Sequence, residues 1–169
     1  MRICAGILVL LLASNATRAA GPPPSKAADA FQKLQSLAGE WEGKDERGRS
    51  ARTTFQSMVS HTAVMETLAA SDMDEMVTLY SVDGDGILLV HYCPTGNQPR
   101  MRAISPDGNV RTLIFSFVGA GNLPSPSTGH EQKLVIEFED DNHITERWTW
   151  RENGHDMPMV FHFTRKTPH

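Results

Sequence analysis

The chain reads as one short amphipathic helix followed by a long series of alternating segments. In AADAFQKLQSL (residues 27–37), Ala30, Phe31, Leu34 and Leu37 fall near helical spacing, which predicts a short helix with one apolar face. After it the apolar period drops to two and stays there. Ten strands are expected, over residues 40–44, 52–59, 63–69, 76–82, 87–93, 98–104, 110–118, 133–139, 144–151 and 157–165. The punctuation is of hairpin type: Asp83-Gly84-Asp85-Gly86, Thr95-Gly96-Asn97, Pro106-Asp107-Gly108-Asn109 and Asn153-Gly154. Tight turns join antiparallel neighbours, so sheet order follows chain order. No helical pattern separates the strands, which excludes βαβ units and a parallel sheet.

An open meander of ten strands leaves two long unpaired edges, and closure into a barrel removes both. The expected fold is therefore all-β: an antiparallel up-and-down barrel of about ten strands, preceded by a short helix. Barrels of eight strands already admit a small ligand, so ten strands leave a cavity unless large side chains fill it. The late strands carry such side chains on one face: Leu113, Phe115 and Phe117; Leu134, Ile136 and Phe138; Trp148 and Trp150; Phe161 and Phe163. These are able to pack solid at one end and line a pocket at the other. The Gly-, Pro- and Ser-rich stretch 119–130 is a candidate flap over the mouth, or a plain surface insertion.

The first 19 residues do not belong to this pattern. Met1-Arg2 gives a positive start, an 11-residue apolar run follows, and Ser14-Asn15-Ala16 and Thr17-Arg18-Ala19 offer small residues for signal peptidase. A membrane span needs about 20 apolar residues, so a cleaved secretory signal over 1–19 is expected, with no membrane anchor after cleavage. Residues 20–26 then form a Pro-rich linker and 27–167 the barrel domain, exported to the periplasm or beyond the cell. Cleavage leaves Cys93 as the one cysteine, so no intrachain disulfide is expected. The formal charge of the whole chain is −4, and loss of Arg2 and Arg18 with the leader makes it more negative. That balance excludes a dedicated nucleic-acid binder.

Leu37-Ala38-Gly39-Glu40-Trp41-Glu42-Gly43, set between a helix and an all-β meander, resembles the opening of a lipocalin-type (calycin) barrel. There the Trp of Gly-x-Trp closes one end. Glu75-Met76-Val77-Thr78-Leu79-Tyr80, Asp83-Gly84-Asp85 and His91-Tyr92-Cys93-Pro94-Thr95-Gly96-Asn97-Gln98-Pro99-Arg100-Met101 further resemble a family of exported bacterial lipocalin-like proteins of unknown function. The likeness covers about residues 31–166. It implies a barrel with a small-molecule role and brings no catalytic residues to transfer. A looser similarity is to nitrobindin-type haem barrels, through Gly39, Trp41 and Gly43. In that family a histidine on the last strand binds iron. Here Val160 stands at that position, with His162 two residues on along the same face.

The densest polar group within a strand pair is His91-Tyr92-Cys93 with Asn97-Gln98-Pro99-Arg100. A two- or four-residue loop sets His91 opposite Arg100 and Leu89 opposite Arg102, giving one face of Leu89, His91, Cys93, Gln98, Arg100 and Arg102. The other face is then Leu88, Val90, Tyr92, Pro99, Met101 and Ala103. Either face can turn inward, and a three-residue loop with a bulge would mix the two. Glu66 shares a face with Val64 and Leu68; if that face is internal, its carboxylate needs a partner, and Arg100 or His91 is the candidate.

The first reading is thus a non-enzymatic barrel that binds a small hydrophobic or amphiphilic ligand. Trp148 lies in its wall, and Glu66, Tyr80, His91, Gln98 and Arg100 are polar anchors; an inward Arg100 would favour an anion. Alternatives are a haem or redox barrel with His162 or His91 as axial ligand, an acid–base enzyme using Glu66 and His91, and an interaction module with a packed core. No metal-ligand spacing is recognised.

Overall fold

A computed structural model describes residues 26–104 and 110–167. The proposed leader, all but the last residue of the linker, and the Pro106–Asn109 turn lie outside the described residues. Helix α1 (Lys26–Gln35) is followed by β1 (Gly39–Asp45), β2 (Ser50–Met58), β3 (Ala63–Ala70), β4 (Met73–Asp83) and β5 (Gly86–Tyr92). Then come β6 (Gln98–Ile104), β7 (Thr112–Gly121), β8 (His130–Phe138), β9 (His143–Glu152) and β10 (His155–Arg165). Each strand pairs antiparallel with its chain neighbours, and β1 pairs with β10, so the described strands form one closed barrel. All ten strands expected from the alternation are present, as is the helix.

Closure depends on Gly43. It sits opposite Phe163 in the β1–β10 seam, and a Cβ built on it would stand 2.0 Å from the carbonyl oxygen of His162. Only a residue without a side chain lets the two strands approach that closely.

The up-and-down course puts alternate connections at opposite ends. One end is closed by α1, whose Ala27, Ala30, Phe31 and Leu34 are buried. Gln35 Nε2 donates to the His61 carbonyl in the β2–β3 turn. Trp41 is buried at this end; its indole Nε1 donates to the Leu37 carbonyl at 2.8 Å and the Arg165 guanidinium lies 4.2 Å from its ring centroid. Above it the lumen is filled by side chains, with Phe55, Leu113, Phe115, Phe161 and Phe163 each almost fully buried. Tyr80 tilts against Phe115 at 5.6 Å and Phe161 stacks on Phe163 at 5.9 Å.

The opposite end is ringed by the β1–β2, β3–β4, β5–β6, β7–β8 and β9–β10 connections and is not filled in this way. The β7–β8 connection is shorter than expected, residues 122–129, because β7 extends to Gly121. It is pinned rather than free-standing: Asn122 Nδ2 donates to the Gly96 carbonyl, Asn97 Nδ2 to the Gly129 carbonyl, and the Asn153 amide to the Ser127 carbonyl.

Candidate functional site: a polar seam beneath an open-end cavity

Within the packed part of the lumen runs a seam of polar side chains. Phe55, Glu66, Thr78 and His91 follow one another across β2, β3, β4 and β5 by register, and all four are buried. Glu66 Oε2 accepts from the Tyr80 hydroxyl at 2.6 Å and Oε1 from Thr53 Oγ1 at 2.9 Å. From β9, Glu146 faces it across the lumen, and Glu146 Oε2 accepts from Trp148 Nε1 at 3.0 Å. The His91 ring packs on Trp148 at 4.8 Å, and its Nδ1 shares a hydrogen bond with Thr78 Oγ1 at 2.9 Å.

Two carboxyls this deep cannot both be charged. Burial raises the pKa of both, and the charge of Glu66 drives Glu146 further, well above the carboxylate range. Hydrogen bonds from Tyr80 and Thr53 favour the charged form of Glu66. Glu146 Oε1 has no donor from any other side chain. A proton held on Glu146 and shared with Glu66 would give that oxygen a partner. Burial also pushes the His91 pKa down to about 4, leaving a neutral imidazole whose Nε2 has no partner.

The residues singled out in the sequence therefore divide into two groups. Glu66, Tyr80, His91 and Trp148 meet in the interior, in one seam. Gln98, Arg100 and His162 do not join them. The β5–β6 connection is a three-residue loop: the Cys93 amide bonds the Asn97 carbonyl, the Gly96 amide bonds the Cys93 carbonyl, and Gly96 has φ +86°. This is the bulged alternative, and it shifts register by one. Arg100 is opposite Val90, not His91, and Met101 is opposite Leu89. Ile87, Leu89 and His91 with Pro99, Met101 and Ala103 point inward, while Arg100 is exposed and Gln98, half-buried, bonds the Gly96 carbonyl.

The expected Arg100 partner for Glu66 is thereby replaced by Tyr80, Thr53 and Glu146. The expected Glu66–His91 acid–base contact is replaced by separate partners for each. His162 is exposed on the outer face, its Nδ1 bonded to Thr145 Oγ1 at 2.8 Å. Neither His162, on the outer face, nor His91, under Trp148, lines the cavity at the open end.

The seam lies within the packed region; the accessible space lies beyond it, at the open end. A cavity of about 660 Å³ opens at the end opposite α1. Its wall combines soft apolar side chains, Met73, Met76, Trp150, Met157, Pro158 and Met159, with charged residues of the β1–β2 and β3–β4 connections. Ligand pockets of small molecules span ~300–1,000 Å³ and have mostly apolar linings, so size and wall both suit one small organic molecule. No residue of the 122–129 connection lines it, so the expected flap role for that stretch finds no support in the cavity wall.

Glu131 also lines this cavity, and the alternation on β8 did not reveal it. Leu134, Ile136 and Phe138 point inward, which by simple alternation sends residue 131 outward. A bulge between Glu131 and Lys133 changes the count: Lys133 pairs with Thr149 while Glu131 pairs with Trp150. Glu131 is consequently buried, Oε2 has no hydrogen-bond partner, and burial pushes its pKa up to about 8.

Folding thus places a proton on Glu131 that the unfolded chain releases near pH 4.5. Its contribution to stability is complete below that pH and is lost as pH rises through about 8. His91 acts in the opposite sense, costing stability as pH falls from about 6.5 toward 4. Between pH 6.5 and 8 the raised carboxyls dominate, and stability should fall by ~1.4 kcal/mol per pH unit for each proton lost. Calorimetric melting at both pH values is expected to show that fall, and a shallower one in Glu131→Gln. Identical pH profiles would contradict the assignment.

No family model matches the sequence, and no curated protein matches it. Among solved structures, the fold is similar to the crystal structure of a protein of unknown function from the DUF3598 family of Nostoc punctiforme. The match has 10% identity and a TM-score of 0.43, and covers 79% of this chain and 49% of that one. The chain spans about half the length of that protein.

Proposed function

We propose that this chain is an exported, calycin-like barrel that binds one small, largely apolar molecule in the cavity at its open end, without catalysing a reaction. The observation that carries the reading is the cavity itself: about 660 Å³, walled by four methionines and a tryptophan, above a lumen packed solid to its other end. Methionine side chains adapt to irregular apolar shapes, which suits a wall that closes on a ligand. The leader-like sequence of residues 1–19 supports export. Arg100, exposed, gives no anchor for an anion, so the apolar body of the ligand supplies most of its affinity. Glu66 and His91 lie in the seam and not in the cavity wall, which leaves the acid–base enzyme without accessible catalytic groups.

Calorimetric titration with 1-hexanol, 1-heptanol and 1-octanol tests this. Each methylene buried contributes ~0.8 kcal/mol, so affinity should tighten about fourfold per carbon. Met157 is exposed, and Met157→Trp should narrow the cavity and weaken all three while the melting temperature holds. Alcohols that do not bind would remove the proposal.

A further inference from the structure

We infer that the cavity selects ligands bearing a positively charged amine, which is seated between the carboxylate of Glu131 and the indole face of Trp150. The inference rests on the reading of the cavity as a ligand site and adds the chemical class of the ligand.

Three independent features converge on it. The bulge at Gln132 turns inward a carboxyl that regular pairing would leave in water, and sets it directly opposite Trp150. Bulges that re-aim one side chain recur beside functional sites. Directly paired residues have Cβ atoms ~4.5–5.5 Å apart, a separation at which an ammonium can touch both a carboxylate and a ring face. Trp150 is itself fixed for this: a Cβ on Gly129 would stand 2.2 Å from its Cζ2, so the ring lies against bare backbone, and Asn97 Nδ2 holds the Gly129 carbonyl at 2.8 Å.

Next, Glu131 has nothing to bond. Its Oε2 is without a partner although buried, an arrangement that a donor entering the cavity would relieve. The nearest cations in the wall do not answer it. Arg49 is committed to Asp45 and Asp72, with Nη2 2.5 Å from Asp45 Oδ2.

The rim is the third feature. Asp45, Glu46, Asp72 and Asp74 face the cavity against Arg47 and Arg49, so its mouth carries a negative excess before Glu131 is counted. Cys93 completes the ionisable groups there. That field draws cations and repels anions. Empty, Glu131 holds a proton at neutral pH because burial has raised its pKa. An ammonium entering beside it stabilises the carboxylate, and the displaced proton leaves to solvent.

Titration calorimetry at pH 7 with octylammonium, 1-octanol and octanoate separates the possibilities, using the chain without residues 1–19. Octylammonium should bind at least tenfold more tightly than 1-octanol, and octanoate more weakly than both. Its binding heat should vary with the ionisation enthalpy of the buffer, reporting release of about one proton. Glu131→Gln should abolish both the preference and the proton release while still binding 1-octanol. If that variant fails to fold, the proton release of the unmodified chain decides alone. Equal affinities for octylammonium and 1-octanol, or a preference that survives in Glu131→Gln, would overturn the inference and leave the apolar site standing. Failure of all three compounds to bind would overturn both.

Discussion

Trp148→Ala should cost the barrel ~3–5 kcal/mol, the range for deleting a large aromatic side chain from a core. Trp148 is 2% exposed, so nearly all of its area is lost from the packed lumen. The substitution also removes the donor to Glu146 Oε2 at 3.0 Å and the ring that covers His91. Glu146 would then have two acceptor oxygens dependent on one proton. Trp148→Phe should cost distinctly less, because it keeps most of the packing and loses mainly the indole bond. Chemical denaturation of the two variants checks this. Equal losses would mean that the hydrogen bond, and not the ring, holds the seam together.

The second large effect is expected at the seam where the barrel closes. Any side chain on Gly43 meets the backbone of His162, which cannot swing away as a flexible side chain would. Gly43→Ala should therefore cost ~3 kcal/mol or more, at the upper end for overpacking, because β1 and β10 must separate. Hydrogen exchange gives the specific signature. Amides of the β1–β10 ladder, such as those of Glu42 and Thr164, should lose protection before those of β5 and β6. Uniform loss of protection around the barrel would show that closure does not depend on this contact.

The fold was legible because its two signals are local. Alternation marks each strand, and Gly/Asn/Asp turns mark each reversal, so strand number and order follow without knowledge of any distant contact. Parity marked Glu66 and His91 as polar residues on faces able to turn inward, without deciding which face does. Glu146 carries that signal too, sharing a face with the buried Ile144 and Trp148, but it was missed, and parity does not say which residue it meets across the lumen.

Register was a different matter. Whether Arg100 faces in or out depends on one residue in the loop that follows Cys93, and a loop of odd length with Gly96 at positive φ turned it outward. Glu131 was hidden for the related reason that its inward aim comes from an extra residue, Gln132, within a strand. A β pattern states the period of a strand but not the positions at which the period skips. At this barrel such skips, including those at Leu68–Ala70 and Arg100–Met101, fall near the open end, where the candidate site lies. The packed end, which follows the period without interruption, was read from the sequence almost unchanged.

The three tryptophans report separately on where a ligand sits. Trp41 Nε1 is bonded to the Leu37 carbonyl at the closed end, Trp148 Nε1 to Glu146 in the seam, and Trp150 lines the open cavity. Their indole N–H resonances, followed by nitrogen–proton correlation NMR during titration with 1-octanol, measure occupancy at three depths. The Trp150 signal should move most and saturate, with Trp148 responding less and Trp41 staying in place. A titration that shifts Trp41, or leaves Trp150 unmoved, would contradict the placement of the site.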